Sequence, residues 1–134
     1  MKVQVTQMSQ VRILVVEDEP LIRMFMVDSL EDAGFLAEEA GTAGEAMSKL
    51  EHQDPPFAAV IIDVGLPDRP GDALAGELRV KWRDLPIIIA SGHDEHELAR
   101  QFSQDHFMGV LAKPYNSGML LSALQKLGIE PAVT

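Results

Sequence analysis

The sequence predicts an α/β domain in which a parallel sheet is covered by helices on both faces. Two observations carry this. Short apolar runs alternate five times with segments of helical period across residues 11–127. Four of those runs also end in polar or charged residues, Glu17-Asp18-Glu19, Asp63, Ser91 and Lys113. Parallel strands would carry all of these to one edge, and ligand sites in such sheets form beyond the carboxyl ends of strands.

The elements follow in order. Residues 1–10 are polar and read as an N-terminal arm. Strand 11–16 contains Ile13-Leu14-Val15-Val16. In helix 20–33, Ile22, Met26, Ser29, Leu30 and Ala33 recur at helical spacing, and Gly34 suits a C-terminal cap. Strand 35–39 leads to helix 42–52, where Thr42 and Glu45 form a capping-box pattern ahead of Ala46 and Leu50. Strand 57–62, Phe57-Ala58-Ala59-Val60-Ile61-Ile62, is closed by Asp63, and Pro67 marks the loop beyond it. Helix 71–82 places Leu74, Leu78 and Trp82 four apart. Strand 86–90 precedes helix 94–104, which Asp94 would cap with Leu98 and Phe102 facing inward. Strand 107–112 is followed by helix 116–127, capped by Asn116, lined by Leu120, Leu124 and Leu127, and stopped by Gly128. One domain over 11–128 and a tail at 129–134 complete the chain.

A length of 134 residues with 46% hydrophobic content suits one core. The absence of cysteine excludes disulfides, thiolate catalysis and cysteine zinc sites. A net charge of −10 opposes broad nucleic-acid binding and is compatible with divalent cations. Met1 to Gln10 carries no secretory apolar region, and no run approaches the ~18 apolar residues of a membrane span. A cytoplasmic location with neither nucleic acid nor membrane as a direct partner is the expectation.

The polar strand ends form a chemically coherent set. Magnesium takes hard oxygen ligands. Asp18 and Asp63 suit direct coordination, Glu17 coordination through a water, and Gly65 a backbone carbonyl ligand. An acidic run before a helix also favours the helix dipole, and Glu19 is read that way. Asp63 suits a nucleophile toward a phosphoryl group, since carboxylates form acyl phosphates. Lys113 and a cation would offset the clash of charges. The Ser91 hydroxyl suits a hydrogen bond to a phosphoryl oxygen, and Gly92 leaves room for the approach. Pro114 after Lys113 is a cis-proline candidate. His93 and His96 are three apart, unlike the helical zinc pattern, and read as part of a solvated helix start. His52 and His106 have no identifiable partner in the sequence, and Trp82 reads as core.

Val16-Glu17-Asp18-Glu19-Pro20, Asp63-Val64-Gly65-Leu66-Pro67-Asp68, Ala90-Ser91-Gly92 and Leu111-Ala112-Lys113-Pro114 together resemble the motifs of two-component response-regulator receiver domains of the CheY-like, single-domain type. The similarity covers residues 11–127. It implies a (βα)5 flavodoxin-like doubly wound sheet with strand order 2-1-3-4-5. By the same resemblance Asp63 accepts a phosphoryl group from the phosphohistidine of a sensor histidine kinase. Glu17 and Asp18 are the acidic pair for Mg2+ or Mn2+, and Gly65 gives the carbonyl ligand. Ser91 is the switch hydroxyl, and Lys113 contacts the phosphoryl group. Helix 94–104, strand 107–112 and helix 116–127 form the family's signalling face. A histidine phosphotransfer protein and a second copy of the chain are further candidate partners in a bacterial cytoplasm. Nothing DNA-binding follows residue 127, so output is expected to run through a partner or a dimer.

The chain departs from the family pattern at Val110, where an aromatic switch residue is usual. Phe107 and Tyr115 are candidate substitutes. Pro86 to His93 partly resembles a receiver subgroup with a Phe-Ala-Thr-Gly signature, with Ile89 and Ser91 replacing the Phe and Thr. Gly65 and His93, two residues beyond Asp63 and Ser91, are candidates for tuning phosphate lifetime. Two other classes compete: a phosphorylation-independent binding module, and a phosphate-ester hydrolase using the same acids. The hydrolase reading suffers because such enzymes tend to place the nucleophile after the first strand as Asp-x-Asp.

Overall fold

The computed structural model describes residues 10–92 and 95–132. Strands and helices alternate as β1 (Arg12–Val16), α1 (Pro20–Asp32), β2 (Leu36–Ala40), α2 (Ala43–Glu51), β3 (Ala59–Asp63), α3 (Gly71–Lys81), β4 (Ile87–Ser91), α4 (Glu95–Gln101), β5 (Met108–Ala112) and α5 (Ser117–Lys126). The strands form one parallel sheet in the order β2-β1-β3-β4-β5. The chain runs outward from β1 to β2, then returns to the other side of β1 for β3. That reversal opens a crevice at the carboxyl ends of β1 and β3.

Successive strand residues face opposite sides, so the apolar runs build two cores. Leu14, Val16, Val60, Ile62, Ile87 and Ile89 meet Leu50 of α2, Leu74 and Leu78 of α3 and Leu98 of α4. Ile13, Val15, Ile61, Ile88 and Leu111 meet Met26 and Leu30 of α1 and Leu120 and Leu124 of α5. Full burial of each such side chain stabilises by about 1.5–3 kcal/mol. This burial, more than helix propensity, holds α4, whose 7 residues are too few for a stable isolated helix. Among the described residues, no helix is long and apolar enough to cross a membrane.

The helix ends follow local chemistry. Asn116 Oδ1 accepts from Met119 N, and Thr42 Oγ1 accepts from Glu45 N. The capping box is not reciprocal, because Glu45 Oε1 reaches past Thr42 to the Gly41 amide at 2.8 Å. Gly34 and Gly128 have φ of +101° and +80°. That left-handed conformation lets the next amide, Phe35 N or Ile129 N, turn back onto Leu30 O or Leu124 O. Trp82 lies just outside α3, in extended conformation. The end of α4 differs from the expected 104: after Gln101 the amides of Ser103 and Asp105 turn to Arg100 O and Phe102 O in tighter turns. The expected cap at Asp94 lies outside the described residues.

Strand ends also shift. Asp63 and Ser91 are the last residues of β3 and β4 rather than the first of their loops, and pair with Ala90 and Ala112. The ladder persists past the apolar runs because Val64 N bonds Ala90 O at 3.1 Å and Lys113 N bonds Ser91 O at 2.9 Å.

At the opposite end of the sheet, Arg79 fastens three segments. Its guanidinium donates to Asp105 Oδ2 at 2.7 Å, to the carbonyls of Trp82 at 2.9 Å and Leu85 at 2.7 Å, and to Phe107 O at 3.2 Å. These bonds tie the end of α3 to the starts of β4 and β5. Arg79→Ala is expected to lower unfolding stability by about 2 kcal/mol. Urea denaturation measures this, and a midpoint equal to wild type would contradict it.

Candidate functional site

The register of the sheet assembles the site. Val16 pairs with Ile62, Asp63 with Ala90 and Ser91 with Ala112. Glu17, Asp63, Ser91 and Lys113 therefore stand side by side at one edge. Each is held by backbone: Glu17 N bonds Ala40 O at 2.9 Å, in line with the ladder bonds at Val64 and Lys113.

Asp63 is buried, with 4% exposure. Its Oδ2 accepts from the Gly65 amide at 2.9 Å, and its Oδ1 pairs with Lys113 Nζ. Glu17 and Asp63 each offer an oxygen that lies within 4.8 Å of one from Asp18, which is exposed. Glu17 is 1% exposed. Its Oε2 accepts from Glu19 N at 3.1 Å, while Oε1 is buried with no partner. Burial pushes its carboxyl up to about 7. The Glu19 amide and Lys113 oppose the rise, and the charges of Asp63 and Asp18 add to it. Three hard-oxygen donors, one of them buried with an unfilled lone-pair position, fit a divalent cation of the magnesium type.

The surrounding loops are fixed in ways only partly legible in sequence. Arg23 of α1 donates to Glu17 O at 2.7 Å and to Glu39 Oε1 at 2.9 Å. Glu19 precedes α1 as an exposed residue with no side-chain cap bond. Asp68, beyond β3, accepts from the Ala43 and Gly44 amides, each at 2.9 Å. Those bonds hold its carboxyl below the usual range, and they pin the β3–α3 loop to the start of α2. Gly71 N bonds Val64 O at 2.8 Å, and a Cβ there would stand 2.3 Å from Asp63 O. Only the glycine at the start of a predicted helix hinted at that close approach.

Ser91 is buried beside Asp63, with 1% exposure. A Cβ on Gly92 would be 3.7 Å from Lys113 Cβ, an ordinary contact. The Lys113–Pro114 bond is cis. His93 lies outside the described residues. Of the two candidate aromatics, Phe107 is at the far end of the sheet, where its carbonyl accepts from Ile87 N. Tyr115 lies with Lys113 and Pro114 against α1, its ring centroid 6.1 Å from that of Phe25. Val110 packs against the α2–α3–α4 side of the core.

An acid cluster and a lysine thus surround a buried aspartate at the switch point of a 2-1-3-4-5 sheet. Residues 13–125 match the response regulator receiver domain family. The chain belongs to that family, and its fold is the CheY-like flavodoxin fold. It is 32% identical to the Escherichia coli (strain K12) sensor protein TorS over 111 residues, 83% of this chain and 12% of TorS. The crystal structure of a CheY-like response regulator receiver domain protein from Methanospirillum hungatei JF-1 is similar, with a TM-score of 0.79 and 29% identity over 90% of this chain and 95% of that one. The response regulator TrrA from Thermotoga maritima, in complex with Mg(2+)-BeF, gives a TM-score of 0.75 and 31% identity over 88% and 99%. The chain spans between 12% and 55% of the length of the curated relatives it matches.

Two predictions arise from this geometry. A carboxyl with a raised folded pKa binds its proton more tightly when folded. The cost of ionising Glu17 is therefore absent well below the ordinary value of 4.5 and fully present above about 7. Metal-free protein should lose on the order of 3 kcal/mol from this group as pH rises through that window. Glu17→Gln should flatten the fall, as read by denaturation in chelator across pH; an unchanged profile would remove Glu17 as its source. Separately, Gly71→Ala should cost about 2 kcal/mol through overpacking against the end of β3. Gly76→Ala, with nothing within 4 Å of its Cβ, should be neutral or stabilising. Equal denaturation midpoints for the two variants would refute the close-approach argument.

Proposed function

We propose that the chain is a phospho-accepting receiver in a two-component phosphorelay. The observation that carries this reading is the buried Asp63 carboxylate, paired with Lys113 and facing the Glu17–Asp18 acids in one pocket. An Asp63 oxygen attacks the phosphorus of a phosphohistidine, the P–N bond breaks, and the imidazole leaves with the electron pair. Lys113 offsets charge on the phosphoryl oxygens. Glu17, Asp18, Asp63 and the Gly65 carbonyl would hold Mg2+ or Mn2+, which supplies positive charge where two anions must meet. The Mg(2+)-BeF complex of TrrA supports a similar cation site here.

The rim supports a protein donor. Leu21, Met24 and Phe25 of α1 are exposed large apolar side chains. With Lys113, Pro114 and Tyr115, Leu21 and Phe25 line a largely apolar hollow, and Lys113 links it to Asp63. A histidine kinase or a histidine phosphotransfer protein carrying an apolar helix suits that surface. The reading places the protein in a bacterial cytoplasm.

Phosphorylation adds close to two negative charges and new acceptor oxygens. Lys113 and the Ser91 hydroxyl reorient toward them and bias the face formed by α4, β5 and α5 toward a partner or a second copy. A swing from about 1:99 to 99:1 needs roughly 5.5 kcal/mol of differential affinity. Gly65 and His93 remain the candidates for setting the lifetime of the phosphoryl group.

Intact mass after incubation with acetyl phosphate and Mg2+ tests the reading. Wild type should gain one phosphoryl group, dependent on Mg2+, and Asp63→Asn should gain none. No adduct in wild type, together with no beryllofluoride binding, would overturn it in favour of a phosphorylation-independent module. Multiple turnover of a phosphate monoester would instead indicate the hydrolase.

A further inference from the structure

Glu17 is the acid with most to gain by turning out to water. Its carboxyl is 1% exposed, and burying a charge is costly unless the chain holds it in place. Asp18 and Asp63 stand beside it, and its Oε1 has no partner within the chain. The bond from Glu19 N to Oε2, at 3.1 Å, is made inside the same short connection between β1 and α1. A connection that moved as a unit would carry that bond with it. What keeps Glu17 in the site must therefore grip it from other elements.

Its peptide groups are gripped on both sides. Glu17 N donates to Ala40 O at 2.9 Å, continuing the β1–β2 ladder. Arg23 Nη1 donates to Glu17 O at 2.7 Å. The guanidinium is itself held: Nε donates to Glu39 Oε1 at 2.9 Å, and a Cβ on Gly41 would stand 3.2 Å from Nη1. Arg23 thus ties α1, the acid connection and β2 together. Its pair with Glu39, whose side chain is 53% exposed, adds little to stability. Met26 and Leu30 already fasten α1 to the sheet. The bond with a consequence for the site is the one to the Glu17 carbonyl, a charge-assisted hydrogen bond on the main chain of the buried acid.

We propose that Arg23 is a positioning residue of the acid site. By fixing the Glu17 peptide it keeps the Glu17 carboxylate beside those of Asp18 and Asp63, the arrangement a divalent cation needs. Outer groups that orient a metal's ligands change affinity by about 10–100-fold. The inference rests on the cation reading above. Position and charge here have opposite signs. By Coulomb's law alone, deleting a positive charge near the acids strengthens the binding of a cation. Loosening Glu17 weakens it.

Wild type, Arg23→Ala and Arg23→Lys are titrated with Mn2+, the free ion being read from its electron paramagnetic resonance signal. Urea midpoints taken in chelator ensure that each titration is run on folded protein. Arg23→Ala should bind Mn2+ about tenfold more weakly than wild type. Arg23→Lys keeps the charge and a donor but not the guanidinium fork, and should fall between the two. Affinity in Arg23→Ala equal to wild type, or tighter, overturns the proposal. So does an Arg23→Lys no tighter than Arg23→Ala, because the loss would then not follow the donor. Should Arg23→Ala not fold, Arg23→Lys decides alone, and wild-type affinity there overturns the proposal. A wild type that binds no Mn2+ overturns the cation reading itself, which separates the two failures.

Discussion

Three carboxylates with oxygens within 4.8 Å of one another repel, and one of them, Glu17, is almost wholly removed from water. No attraction among them holds this arrangement together. The parallel ladder does, because the ends of β1, β3, β4 and β5 are fixed in register by backbone bonds that run up to the acids themselves. Lys113 offsets part of the charge through Asp63. The remainder is carried as a raised Glu17 pKa and an unpaired oxygen. The fold's stability, drawn from the two apolar layers, thus offsets the cost of gathering these carboxylates in one pocket.

The same constraint explains the close fit around Asp63. Gly71 lies against its carbonyl, the Gly65 amide holds one carboxylate oxygen, and Asp68 anchors the intervening loop to α2. Arg23 does the corresponding work for the acid loop by binding the Glu17 carbonyl. These contacts fix the position of the Asp63 carboxylate through bonds within the chain. α4, with 7 residues, is the shortest helix of the described residues.

Much of this was legible in the residues. Continuous apolar runs gave strands because strands buried on both faces need no polar alternation. Asn116, Gly34 and Gly128 marked helix ends because caps act within a few residues of sequence. Asp63, Lys113, Glu17 and Asp18 stood out because each follows such a run. Cross-chain bonds were not legible. Asp68 caps a helix 25 residues earlier in the chain, and Arg79 binds Asp105 26 residues later. Nothing local separates those side chains from ordinary surface charges.

The sequence by itself determined the element order, the parallel architecture and the identity of the acids and lysine at the strand ends. These follow from hydrophobic period and from chain punctuation, which are local properties. Tertiary structure alone decided that Asp63 and Ser91 lie inside the sheet's last rungs, that Glu17 rather than Asp18 is the buried member of that pair, and that Tyr115 packs on Phe25 of α1 while Phe107 lies at the far end of the sheet. Those outcomes depend on which strand end faces which neighbour and how deeply water is excluded there. Register and burial are properties of the assembled sheet.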